Sequence, residues 1–302
     1  MLPDEKLTLH SRRLGFIGLG HLGSPIARRL VAAGFPMVVY DRDATKTAEL
    51  VSLGANTSSH PRILASEVDV VLSCLPDEPS VEDVYMGTGD VLHSARPNTR
   101  IIELSTISPE TSRKLHRAAR QFGLSALDVA VSGSAPAAEA GALTLFGGGH
   151  RKDFEAAEAI FSAIARQWFY MGWDGSGVAM KLVVNTLLGV GMQAIAEAVA
   201  LGSSLGLPRD LLFDTLAKTA VVAPAHTGKL ASAKRDDYAP QFPVRLMRKD
   251  FGLVLAAAAQ SGLSMPATVA AAAINAAEAA SGGEEDFSAV VRRMENEAVS
   301  VA

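Results

Sequence analysis

Two groups of residues in this 302-residue chain have the types and spacing that chemistry requires. The first is Gly18-Leu19-Gly20-His21-Leu22-Gly23, which closes an apolar run and leads straight into a helix-forming stretch. Glycines at these intervals give a tight turn, room for a pyrophosphate, and close packing of helix on strand. The start of the helix offers N–H groups and a positive dipole end to phosphate oxygens. Asp41 follows about 20 residues on, at the end of the next apolar run, where a carboxylate accepts hydrogen bonds from an adenosine ribose. It repels a 2′-phosphate, so NAD is the expected cofactor. The neighbouring guanidinium of Arg42 is suited to a 2′-phosphate, which keeps NADP as the alternative.

The second group is Lys181 and Asn185, set in the otherwise apolar VAMKLVVNTLLGVGM and sharing one helix face. Burying an ammonium costs free energy unless it has a partner or a task. Two readings stand side by side: a lysine whose stem snorkels to the domain surface, and a general acid/base. Hydride transfer to an aldehyde leaves an alkoxide that needs a proton, and the reverse reaction must remove one. A lysine whose charged form is disfavoured by burial and by a nearby nicotinamide cation can do both. Asn185 is placed to hold a substrate hydroxyl or carboxylate one turn away.

The elements that must position these groups follow from periodicity. Strands are expected at 14–19, 36–41, 69–74, 99–104, 124–129, 143–147 and 167–172, with helices between them, notably 22–33, 44–52, 108–122 and 151–165. Such alternation predicts an α/β unit, a doubly wound parallel sheet of the Rossmann type, over 12–173. From Val178 to Leu205 the chain reads as one buried helix, about 42 Å long at 1.5 Å per residue. Helices at 208–219, 224–233, 243–262, 265–280 and 286–297 complete an all-helical second domain, 174–302. The alanine-rich tracts 255–259 and 267–280 read as tight helix packing. The ends, 1–11 and AVSVA, read as loose.

Ligands of open α/β sheets gather at the carboxyl ends of the strands. Leu75-Pro76, Ser105-Thr106 and Ser132-Gly133-Ser134 all fall there. The first two pairs suit the nicotinamide side, and backbone N–H groups of the third can cradle a carboxylate. Each is also readable as an ordinary turn; Ser108-Pro109-Glu110 is a cap and first helical turn. Cys74 reads as a small core residue.

A net charge of −4 without a basic cluster argues against nucleic acid and anionic membranes as partners. The apolar stretch near 178–205 is long enough to span a bilayer, but Lys181, Asn185, Gln193 and Glu197 interrupt it. One cysteine excludes a disulfide framework. With a polar start and no export signal, this makes a cytoplasmic protein the expectation. The histidines at 10, 21, 60, 93, 116, 150 and 226 have no metal-ligand spacing, and His226 reads as a surface or capping residue.

Taken together, four ordered segments resemble the β-hydroxyacid dehydrogenase family, over roughly 12–297: GFIGLGHLGSPIARRL, DVAVSGSAPAAEAGALTL, GSGVAMKLVVN and RKDFGLVLAAA. That resemblance implies hydride exchange between NAD(P) and a small carboxylate-bearing hydroxy acid or its semialdehyde. It makes Lys181 the general acid/base and assigns Ser132, Gly133 and Asn185 to the substrate. Ser105 or Thr106 is placed near the nicotinamide, and Lys249 and Asp250 near cofactor and active site. It also implies a homodimer or homotetramer, with Gly189 and Gly191 allowing close helix approach. Three segments depart from the family pattern. Ala130 and Ser134 stand in the substrate segment where proline and glycine are common, Glu103 stands for a frequent aspartate, and His21-Leu22 replaces a small residue and methionine. Imine reductases share the architecture but typically lack the lysine. A silent dinucleotide-binding module would be expected to have lost it.

Overall fold

The computed structural model describes residues 12–299. The expectation of loose ends falls on 1–11 and 300–302, outside the described residues; the last helix, Val290–Val299, runs to their border. The chain divides into two compact units after Lys181, inside the long helix Ser176–Ser204.

The first unit is built on eight strands: β1 Leu14–Ile17, β2 Met37–Tyr40, β3 Asn56–Thr57, β4 Val70–Ser73, β5 Arg100–Glu103, β6 Ser125–Ser132, β7 Leu143–Gly149 and β8 Ala165–Gly172. Their spatial order is β3-β2-β1-β4-β5-β6-β7-β8. The first six are parallel, in the order expected of a dinucleotide-binding sheet. Strands β1, β4 and β5 are buried on both faces, which explains the apolar runs LGFI, VVL and II at their centres. One side of the sheet carries Phe16, Leu72, Ile102 and Leu127. The other carries Ile17, Val71, Ile101 and Ala126.

The sheet is mixed, not wholly parallel as the periodicity suggested: β7 runs antiparallel to β6. Only ten residues separate them, including the short helix Ala135–Glu139. A parallel return needs a crossover of a dozen or more. Two further corrections concern element bounds. The two-residue strand β3 has no apolar signature and was not expected. The single helix expected over 151–165 is two, Arg151–Glu155 and Glu158–Ile164. Ala157 N–H bonds back to Phe154 in a tightened turn, and the turn brings the Phe154 and Phe161 rings to 5.0 Å.

The second unit is helical, with Arg209–Leu216, Pro224–Lys234, Val244–Gln260 and Pro266–Gly282 following the long helix. Met192, Phe213, Met247, Phe251 and Phe287 form its core. The first of these helices stops short of 219 because the bonds from Lys218 and Thr219 N–H tighten to three-residue turns. His226 is buried, contrary to the surface reading, and its Nε2 lies 2.8 Å from the Leu188 carbonyl. Gly191 makes room for that imidazole and Gly189 for the Phe251 ring, where a Cβ would come within 2.7 and 2.4 Å. The long helix is long and apolar enough to cross a membrane. It is also less buried than its sequence suggests: Val183, Leu187 and Leu201 are exposed.

Candidate active site

Because β1, β2, β4, β5 and β6 are parallel, the segments that follow them emerge at one edge of the sheet. That edge collects the glycine loop, Asp41-Arg42, Leu75-Pro76, Ser105-Thr106 and Ser132-Gly133-Ser134. The parallel order thus brings together sequence-predicted residues spread over more than a hundred positions.

The glycine loop is shaped by backbone approach. Gly18 has φ +93°, and a Cβ there would lie 2.4 Å from the Cys74 carbonyl oxygen. At Gly23, the first residue of the helix Gly23–Ala32, a Cβ would meet the Gly18 carbonyl oxygen at 2.0 Å. Around Gly20 the space a Cβ would enter is open to 4 Å. Two glycines therefore close the turn and the third leaves a cradle over bare backbone, which fits a dinucleotide pyrophosphate. Gly23→Ala should weaken NADH binding by about 10- to 100-fold, because one methyl forces the loop apart. Fluorescence titration would check this, and unchanged affinity would contradict the loop's role.

Asp41 braces that loop. Its Oδ2 accepts the Leu19 N–H at 2.7 Å and its Oδ1 accepts the Asp43 N–H at 2.9 Å. Lys46 lies 3.6 Å away. Arg42 and His21 are exposed, and Leu22 is half-buried against the core. Among the residues expected on the nicotinamide side, Leu75 N–H donates to Ser105 Oγ at 2.7 Å. Ser105 is buried, Thr106 half-buried and Pro76 exposed. Cys74 packs against the core as expected. Ser108 caps the helix Pro109–Gln121, accepting the Thr111 N–H at 3.1 Å.

Ser132 ends β6, and Gly133 turns the chain with φ +142°, where a Cβ would lie 2.7 Å from Leu143 Cδ2. Glycine is needed there. Ser134 has φ −94°, a conformation open to any residue, so its side chain causes no backbone strain.

The long helix begins on β6. Asp128, in the middle of that strand, accepts the Gly175 N–H at 2.9 Å and the Val178 N–H at 3.0 Å. His116 bridges two carboxylates, with Nε2 3.1 Å from Asp128 and Nδ1 3.1 Å from Asp174. Arg120 also binds Asp174, at 2.7 Å. At Gly177 a Cβ would strike the Phe146 and Asp128 carbonyl oxygens at 2.3 and 2.5 Å. The start of the helix is thereby seated directly on the sheet. Sequence reading missed this assembly. Its signal was an aspartate inside an otherwise apolar strand, DVAV, where an unpaired carboxylate would be costly.

Lys181 lies in the second turn of that helix and is 9% exposed. Asn185 follows one turn on, 1% exposed. Within the second unit Asn185 Nδ2 donates to Asp250 Oδ2 at 2.6 Å, and Lys249 Nζ lies 3.0 Å from Asp250 Oδ1. The amide orientation is thereby set, and Asn185 Oδ1 is buried with no hydrogen-bond partner among the described residues.

Comparison with known proteins matches both parts of the chain. Residues 13–172 match the NAD binding domain of 6-phosphogluconate dehydrogenase, and 175–294 match the NAD-binding domain of NADP-dependent 3-hydroxyisobutyrate dehydrogenase. The NAD-dependent L-serine dehydrogenase of Pseudomonas aeruginosa is 37% identical, over 84% of this chain and 88% of that one. This chain belongs to the β-hydroxyacid dehydrogenase family. It is accordingly an NAD(P)-dependent dehydrogenase acting on CH–OH groups. Another family member, the 3-hydroxyisobutyrate dehydrogenase of the same bacterium, is 34% identical over 84% of this chain and 87% of its own length. Among solved structures, Mycobacterium tuberculosis 3-hydroxyisobutyrate dehydrogenase with L-serine superposes with a TM-score of 0.86. It is 33% identical, covering 94% of this chain and 99% of that one.

Proposed function

We propose that this chain interconverts a small β-hydroxy acid and its semialdehyde, with NAD preferred to NADP and Lys181 as general acid/base. The observation that carries the proposal is a buried lysine followed one helical turn on by a buried, oriented amide. Bound at the glycine loop, the nicotinamide supplies or takes up the hydride. Lys181 takes the hydroxyl proton in oxidation and returns it in reduction. Asn185 Nδ2 gives one of its two N–H groups to Asp250, and the other donates to the substrate hydroxyl oxygen or carboxylate. Backbone N–H groups at Ser132-Gly133-Ser134 receive the carboxylate. Gly18 to Gly23, Asp41, Leu75-Pro76, Ser105-Thr106, Lys249 and Asp250 serve the cofactor.

L-Serine and 3-hydroxyisobutyrate, the acids in the names of the relatives, share a CH2OH group on the carbon that bears the carboxylate. That common part is the substrate class proposed here, with Ser134 facing the variable substituent. The exposed apolar side chains Val183, Leu187, Leu201 and Leu205 support assembly as a homodimer or homotetramer. The cytoplasm remains the proposed compartment.

The test is nicotinamide absorbance with L-serine, 3-hydroxyisobutyrate, 3-hydroxypropionate and glycerate, and with the corresponding semialdehydes, against each cofactor. At least one acid should turn over with NAD and run about tenfold or more slower with NADP, because Asp41 repels a 2′-phosphate. Absence of turnover across the panel, with NADH bound, would refute the substrate class.

A further inference from the structure

Three polar residues stand side by side on one face of the sheet: Ser73 and Glu103, the last residues of β4 and β5, and Asp128 in the middle of β6, which are register partners. Glu103 is fully buried. Its Oε1 accepts the Ser105 N–H at 2.7 Å, and its Oε2 accepts the Ser73 hydroxyl. The Tyr85 hydroxyl, from the helix Glu78–Met86, lies 2.5 Å from Ser73 Oγ. Ser105 Oγ in turn accepts the Leu75 N–H. A continuous path of hydrogen bonds therefore joins this carboxyl to both segments assigned above to the nicotinamide side.

We infer that Glu103 is a positioning residue, which holds the Leu75-Pro76 and Ser105-Thr106 segments in register through Ser105 and so sets cofactor affinity without touching the cofactor. This rests on the cofactor assignment made under the proposed function. The carboxylate form is the one that grips: it accepts from the Ser105 N–H and the Ser73 hydroxyl at once, whereas a carboxylic acid has to turn its own proton toward a hydroxyl and reverse that bond. Burial pushes the Glu103 carboxyl up to about 7, against the opposing pull of the hydrogen bonds from Ser105, Ser73 and Tyr85. The groups facing it are Tyr85, itself raised well above the usual phenol range by burial, and Asp128 on β6, whose oxygens are committed to His116 and the long helix. The grip should therefore be present above neutral pH and weaken as pH falls through 7.

The experiment measures NADH affinity by fluorescence from pH 6 to 9 for wild type, Glu103→Gln, Ser105→Ala and the double variant, with thermal melts of the cofactor-free proteins. Wild type should bind about tenfold more weakly at pH 6 than at pH 9. Glu103→Gln should bind weakly at both, with a flat profile. Contributions from groups outside this path are common to both proteins and cancel in the comparison. Ser105→Ala should lose a similar factor, and the double variant no more than the larger single loss, since both cut one path. Additive losses, or a Glu103→Gln profile that parallels wild type, would overturn the inference. If Glu103→Gln melts too early to assay, Ser105→Ala at the two pH extremes decides: persistence of the full wild-type pH dependence refutes the path. Failure of wild type to bind NADH or NADPH would overturn the cofactor assignment itself, a different result from wild-type binding with unresponsive variants.

Discussion

Lys181→Ala lowers kcat by about a thousandfold on the best acid of the panel and leaves the Kd for NADH within about twofold of wild type. The residue sits inside an apolar helix at 9% exposure, so its removal deletes one titratable group and few contacts with solvent. General acid/base assistance accounts for a factor of about 10² to 10⁴ in such reactions. Lys181→Arg should be nearly as slow, because a guanidinium keeps the charge but does not surrender a proton near neutral pH. Single-turnover absorbance with saturating cofactor separates the chemical step from binding. A variant that retained a tenth of wild-type kcat would place the proton elsewhere.

Asp128→Ala should have the largest effect on stability, a loss of about 3–5 kcal/mol in urea denaturation. Its two oxygens hold two N–H groups of the helix start and one nitrogen of a 3% exposed imidazole. Removing it strands buried donors on both sides, and a desolvated donor left alone costs more than the bond contributed. Asp128→Asn keeps one carbonyl acceptor and should lose less. Catalysis should fall with stability in both variants, since the same strand carries Ser132 at its end and the helix it seats carries Lys181. Equal stability of Asp128→Ala and wild type would show that the helix start is held by packing at Gly177 alone. Glu103 has the opposite sign of pH dependence in stability. Its folded carboxyl is raised from 4.5 to about 7, so folding is favoured below that window and loses stability as pH rises through it. The Glu103→Gln deficit relative to wild type should therefore narrow between pH 5 and 8, which the melts of the cofactor-free proteins report.

The sequence by itself determined most elements and pointed to the candidate site residues, because their signals are local. A glycine spacing next to an apolar strand, an acidic residue one strand later and a lysine in an apolar helix are each read within a few residues of themselves. The helical second unit and the family followed from those segments in sequence. What only the tertiary structure decided depends on partners far apart in the chain. The reversal of β7 depends on how short a connection can be. His226 has no sequence sign that it will sit against the Leu188 carbonyl 38 positions away. Asp128 inside an apolar strand and Glu103 in place of a frequent aspartate stood out in the sequence, but nothing there named their partners. Their roles come from His116, Ser73 and Tyr85, which the parallel order of β4, β5 and β6 and the helices packed on that face bring to them. A buried carboxylate is costly without partners. A sequence can therefore show that partners must exist, while only the fold names them.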